Sequence, residues 1–202
     1  AKETITFQTN ADFTGGTFTP VSSTIALAGS GNQSINPANL TFNKIAVLNS
    51  SGTVAFVNGF SATELRCEAA GGIRRLQFQQ GATVTLRDLI MLGSTASTNI
   101  FLRSSTVGQK WKLAVFGYRW AVQGVDVRDS DASPGLPIPA AFSKDSGNNL
   151  NWLFNASRSI WLGTSGTDFH TAANWLPAIV PDANSRVLVA ATNPMIISSA
   201  VT

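Results

Sequence analysis

The sequence predicts an all-β chain wound as a parallel β-helix, and three observations carry that prediction. The first is compositional. Of 202 residues, 44% are hydrophobic and only 12% are charged, while Ser, Thr and Asn fill 56 positions. Globular domains usually carry about 25% charged residues, so the polar surface here is mostly neutral. The second is a run of short alternating segments rich in β-branched and aromatic residues. The third is their recurrence at roughly 22–26 residues, the range in which a solenoid is expected.

The segments follow in order. Thr4–Phe7, Ser23–Leu27, Leu40–Phe42 and Thr53–Val57 read as strands, as do Thr83–Leu86, Asn99–Leu102, Trp111–Val115, Val125–Val127 and Arg186–Val189. Gly, Asn, Ser or Pro bounds each one, which is the usual punctuation between strands. A short helical turn is expected over Thr171–Trp175, and no longer stretch has helical period. The steps Ile25 to Val47, Leu65 to Leu89 and Leu76 to Ile100 set the repeat, and the phrases Ser51-Gly52-Thr53-Val54 and Gly81-Ala82-Thr83-Val84 mark its turns. Stacked coils of this kind place apolar ladders inside and small polar ladders outside. An antiparallel β-sandwich also fits strands at such intervals. The scarcity of two-residue hairpin signals counts against it, since Asn58-Gly59 is the only Asn-Gly in the chain and Asp-Gly is absent.

Composition excludes several classes. The apolar fraction and a net charge of +3 argue against disorder. No stretch approaches the roughly 18 apolar residues of a membrane helix. The single cysteine, Cys67, leaves no intrachain disulfide and reads as a buried, inert thiol. Charge is uneven. Eight basic residues between Arg66 and Arg119 face only Glu68 and Asp88, and six aspartates follow Trp120. Such a stretch could attract acidic glycans or nucleic acid, but a solvated face with opposite-sign neighbours is the favoured reading, with no specific nucleic-acid binding expected.

Several phrases between Thr17 and Phe154 resemble a repeat of large bacterial surface and secreted proteins. They include Gly16-Thr17-Phe18-Thr19-Pro20, Asn39-Leu40-Thr41-Phe42-Asn43, Leu65-Arg66-Cys67-Glu68-Ala69-Ala70-Gly71-Gly72 and Gly124-Val125-Asp126-Val127-Arg128-Asp129. A second set is similar to the opening of autotransporter-type passenger repeats: Trp161-Leu162-Gly163, Gly166-Thr167-Asp168-Phe169, Ala172-Ala173-Asn174-Trp175 and Val180-Pro181. The resemblance implies a right-handed β-helix, an extracellular or cell-surface location, and a role as stalk, adhesin or fibre. It implies no particular reaction. Residues 1–154 then form one β-helical unit, and 155–202 the start of a following unit or a subunit-joining segment.

The ends suggest joining. Ser198–Thr202 followed by Ala1–Phe7 reads as an ordinary run of coils. Head-to-tail self-assembly would use Ile5 and Phe7 on one side and Ile196, Ile197 and Val201 on the other, because bare strand edges favour pairing and open contacts build filaments. A piece cut from a longer chain would look the same.

Chemistry-bearing residues are few, and no enzyme is expected. Asp126, Asp129 and Asp131 form the only carboxylate cluster, a weak calcium candidate without EF-hand spacing. The same carboxylates could supply a glycosidase pair, although fold analogy alone is a poor warrant. His170 has no Gly-x-Ser-x-Gly partner, and one His with one Cys does not make a zinc site. The alternative reading is a carbohydrate-binding or polysaccharide-degrading β-helix module with surface glycans as partners. The five tryptophans, all after residue 110, are read as packing where one stack ends and the next begins.

Overall fold

In a computed structural model the described residues are 3–15, 22–69, 72–117, 120–154, 157–176, 178–182, 185–189 and 194–197. They contain twenty strands, numbered here in chain order, and no α-helix. The first parallel sheet runs β1 (Thr4–Phe7), β3 (Thr24–Leu27), β5 (Thr41–Val47), β7 (Phe60–Glu68), β9 (Thr83–Leu92), β11 (Trp111–Val115) and β14 (Ser130–Asp131). The strand β12 (Trp120–Gln123) pairs with the second half of β9. The second sheet runs β2 (Ala11–Asp12), β4 (Gln33–Asn36), β6 (Thr53–Phe56), β8 (Arg74–Phe78), β10 (Ile100–Ser104), β13 (Val125–Val127) and β16 (Lys144–Asp145). The chain alternates between the two sheets, so it winds as a β-solenoid of about six turns.

Register gives the coil length directly. Ile5 pairs with Ile25, Ile25 with Ile45, and Ile45 with Leu65, each step twenty residues. Leu65 then pairs with Leu89, a step of twenty-four. In the second sheet Val54 pairs with Leu76 and Leu76 with Leu102. Two of the sequence steps therefore slip by two residues: Ile25 aligns with Ile45 rather than Val47, and Leu76 with Leu102 rather than Ile100. Alternation has a period of two, so a two-residue slip keeps the same face inward and leaves the pattern unable to decide between them.

The strands of the first sheet are longer than alternation suggests, because they turn a corner without breaking. Phe42 and Ile45 are buried while Asn43 and Lys44 between them leave the core, and the same double step occurs at Thr63-Glu64. Two successive residues directed out of the core shift the phase by one and bend the wall. At this corner the sixth coil carries two extra residues: Leu86 pairs with Val115 but Leu89 with Trp120. Gly117 permits the bulge, since a Cβ there would lie 2.0 Å from the Arg87 carbonyl oxygen.

The interior is a set of side-chain ladders. Leu27, Val47, Cys67 and Met91 form one rung series, each in register with the next and each buried. A second series is aromatic. Phe7 meets Phe13 at 5.7 Å between ring centroids, Phe13 meets Phe42 at 5.2 Å, and Phe42 meets Phe60 at 6.3 Å. Phe60 meets Phe56 at 4.9 Å, and Phe56 stacks on Phe78 at 5.4 Å, which stacks on Trp111 at 4.0 Å. This spine passes through coil after coil and adds directional ring contacts to ordinary burial.

Not every small polar residue lies outside, contrary to the simplest reading of the composition. Gln33, Asn49, Asn99 and Gln123 are buried. Gln33 Oε1 accepts from the Gly29 N–H at 2.9 Å and from Asn49 Nδ2 at 2.9 Å, while its Nε2 donates to the carbonyls of Phe7 and Thr9. Asn99 accepts from the Ser94 N–H at 2.7 Å and donates to the carbonyls of Ala69 and Gly72, both at 2.9 Å. An amide carries donors and an acceptor without net charge, so it satisfies buried turn backbone at no Born cost.

Beyond the last full coil, β15 (Ile138–Ala140) pairs in parallel with β17 (Trp152–Phe154). A fourth sheet joins β18 (Ser157–Trp161) to β19 (Trp175–Leu176) and β20 (Ser185–Val189), and β18 lies against β12 and β15. Ile160 belongs to the main core, whereas Trp161, Phe169 and Trp175 form a satellite core. A single 3-10 turn, Ala172–Asn174, occupies the expected helical position. Trp152 and Trp111 are core residues of the solenoid, as the packing reading of the tryptophans expects, and the Trp120 side chain lies outside the described residues.

Phe78 joins two stacked contacts in the spine. Phe78→Ala is expected to lower unfolding free energy by about 3–5 kcal/mol, measured by urea denaturation. A loss below about 1 kcal/mol would show that the ring does not bridge the coils.

Candidate functional site

The outer face of the second sheet gathers most of the side chains with chemical capacity. Register places Thr53, Arg75, Phe101, Asp126 and Lys144 in one outward row across successive coils. Ser34, Ala55, Gln77 and Arg103 form the row beside it. Neighbouring strands lie about 4.8 Å apart, so each row is a line of closely spaced groups. The Phe101 ring has the Arg75 guanidinium 5.8 Å and the Arg103 guanidinium 5.3 Å from its centroid, both cation–π contacts.

Arg103 is held by its own coil neighbours. Its Nη2 meets Asp126 Oδ1 at 2.7 Å, and its Nη1 donates to the carbonyls of Asp126 and Leu102. Lys144 Nζ approaches the other Asp126 oxygen at 3.9 Å. Arg75 is exposed and makes no ion pair among the described residues. Next to this cluster, Asn10, Asn32, Ser34, Thr53, Ala55 and Gln77 line a shallow depression of about 480 Å³. The small Ala55 side chain leaves the floor open, and hydroxyl and amide groups surround it.

The aspartate triplet is spread over different partners. Asp126 and Asp129 are both buried. Asp129, at φ +58°, accepts the Gly108 N–H at 3.0 Å and Asn148 Nδ2 at 2.7 Å, with Arg128 Nε at 3.5 Å. Asp131 accepts the Ser133 N–H at 2.9 Å, a local turn bond. Each carboxylate thus faces donors rather than a shared centre, and among the described residues no three His, Cys, Asp or Glu side chains group as metal ligands.

Among the described residues, three of the eight basic residues between Arg66 and Arg119 pair with acids, Arg66 with Glu68, Arg87 with Asp88 at 2.9 Å and Arg103 with Asp126, and Lys44 pairs with Glu64 at 2.7 Å outside that stretch. His170 lies beside Asp168, whose carboxyl is held below its ordinary value mainly by the His170 backbone N–H. Cys67 is buried in its ladder, and burial pushes the thiol up from 9.0 to about 12.

The residues expected at the ends occupy different settings. Ile5 heads the Ile25–Ile45–Leu65 ladder and is 41% exposed, although its partners are buried. Phe7 is half-buried against Phe13. Ile196 and Ile197 are exposed, yet the Ile196 main chain already bonds to Thr167 and Phe169. Val201 lies outside the described residues. Sequence reasoning missed the Arg75–Phe101–Arg103 arrangement because it depends on a 26-residue register between β8 and β10. Outward placement of Phe101 between the buried Ile100 and Leu102 was its one readable signal.

Comparison with known protein families, curated proteins and solved structures finds no match for the chain.

The thiol prediction follows from burial. Cys67 should resist iodoacetamide at pH 8 in the native state and react readily in urea. A raised native pKa favours the protonated thiol, so its contribution to stability is full below about 9 and is lost as pH rises towards about 12. Equal alkylation rates in native and unfolded protein would contradict the burial.

Proposed function

We propose that the chain is a non-enzymatic structural or adhesive unit of an extracellular bacterial surface protein or filament, stacking head to tail through the ends of its coils. The exposed Ile5 carries the proposal. It is the first member of a ladder whose next members, Ile25, Ile45 and Leu65, are almost completely buried. A further coil laid over β1 would bury it in the same way. Edge backbone favours the same event. The carbonyls of Glu3 and Phe7 accept from the N–H groups of Thr24, at the start of β3, and Ala28, just past its end. Parallel pairing sends alternate residues to opposite neighbours, so the main-chain groups of Thr4 and Thr6 point away from β3 and toward an incoming strand.

Supporting features are mechanical. Stacked coils joined by continuous parallel strand pairing make a stiff spacer, and the Thr, Ser and Gln side chains in the outer rows suit an exposed surface. The likeness of the sequence phrases to surface-protein repeats agrees with that role. In this reading function lies in length, stiffness and end-to-end contact, with the interior ladders providing stability.

Sedimentation over a wide concentration range, with electron microscopy of the concentrated protein, tests the proposal. The native chain should form elongated species whose size grows with concentration. Ile5→Lys should remain monomeric with an unchanged far-ultraviolet spectrum, because a buried unpaired ammonium opposes stacking. A monomer at every concentration, or undiminished association in the Ile5→Lys variant, would refute it.

A further inference from the structure

We infer that the outer face of the second sheet binds a uronate-bearing polysaccharide, with Phe101 stacking on a sugar ring and Arg75 pairing with its carboxylate. The inference goes beyond the assembly reading and does not depend on it, since the face lies along the coils and not at their ends.

Four observations point the same way. Phe101 is a large apolar ring set outward in a polar sheet face, between the buried Ile100 and Leu102. Two guanidiniums lie over its ring, 5.8 Å and 5.3 Å from the centroid, and the exposed Arg75 swings off the ring to meet the carboxylate when a sugar stacks there. The two have different roles. Arg103 is fixed by the Asp126 carboxylate and by two backbone carbonyls, so it steadies the ring. Arg75 is exposed, and its guanidinium fork has no carboxylate partner among the described residues. Finally, the adjoining depression presents Thr53, Ser34, Gln77, Asn10 and Asn32 around Ala55.

The ligand class follows from matching these groups. A pyranose ring offers an apolar C–H face to an aromatic ring and hydroxyls to neutral amides and hydroxyls. A guanidinium pairs with a planar carboxylate through two parallel hydrogen bonds. The rows climb the stack in steps of about 4.8 Å, so a linear chain lying along them meets new groups at every coil. Single-stranded nucleic acid fits less well. It too stacks on aromatics, but its binding relies on neutralising successive phosphates with cations. Here the aromatic is single, Arg103 is committed to Asp126, and the groove beyond Ala55 is neutral.

The test uses hexamers of galacturonate and of mannuronate, titrated calorimetrically at low salt into the native chain. Their methyl esters and a twelve-residue oligothymidylate serve as comparisons. At least one uronate hexamer should bind, and esterification should weaken it at least tenfold. Arg75→Ala and Phe101→Ala should each weaken it at least tenfold, and Arg75→Lys by less. Arg75 is exposed, so its variants should melt like the native protein. Phe101→Leu keeps an apolar side chain and still removes the stacking surface, which guards against a folding defect in the alanine variant. The inference is overturned if neither hexamer binds, if the ester binds equally well, or if the Arg75 variants match the native chain. Tighter binding of oligothymidylate than of either hexamer would also overturn it, in favour of a nucleic-acid face.

Discussion

A coil of a solenoid cannot bury its own apolar face; it does so only by lying on the next coil. In this chain that dependence is visible residue by residue. Leu27, Val47, Cys67 and Met91 are each covered from above and below by the same position of the neighbouring turn. Backbone hydrogen bonds obey the same rule, since each parallel strand bonds to one neighbour on each side. Stability is therefore largely a sum of nearest-neighbour terms. The terminal strand β1 has only one of its two contacts among the described residues, and the exposure of Ile5 follows from that.

Parallel stacking also explains the unusual polarity of the chain. Corners between strands bring turn backbone into partly dry surroundings, where a charged side chain would be costly and an apolar one would leave N–H and C=O groups unmet. Gln33, Asn49 and Asn99 solve this with neutral amides that reach across to the preceding or following coil. Aspartates take the same role where a cation stands near: Asp129 accepts from Gly108 and Asn148 beside Arg128. Low charge content and many Asn, Ser and Thr residues are thus two results of one architecture.

The sequence made some of this legible and hid the rest for identifiable reasons. Alternation at Ile25, Val54, Leu102 and Val127 identified buried ladders, and Gly- and Asn-bounded segments at solenoid spacing indicated coils. Register was hidden to within two residues, because a two-residue slip leaves every inward face inward. Coil length varies more than the 22–26 expected, from the twenty-residue steps near Ile25 to the longer step at the Gly117 bulge. Long strands such as Phe60–Glu68 were obscured by the corner at Thr63-Glu64, where alternation shifts phase. The site was harder still. Arg75, Phe101 and Arg103 lie far apart in the chain and only register brings them together, whereas the aspartate triplet, adjacent in sequence, divides its carboxylates among separate donors.

The proposed head-to-tail assembly requires a further coil to pair with the outer edge of β1. Amide hydrogen exchange, compared between dilute and concentrated protein, tests it most directly. The account predicts that Thr4 and Thr6 gain protection on concentration while the β7 amides, already paired on both sides, stay unchanged. Association that leaves the Thr4 and Thr6 amides exchanging as fast as in the dilute chain would contradict it.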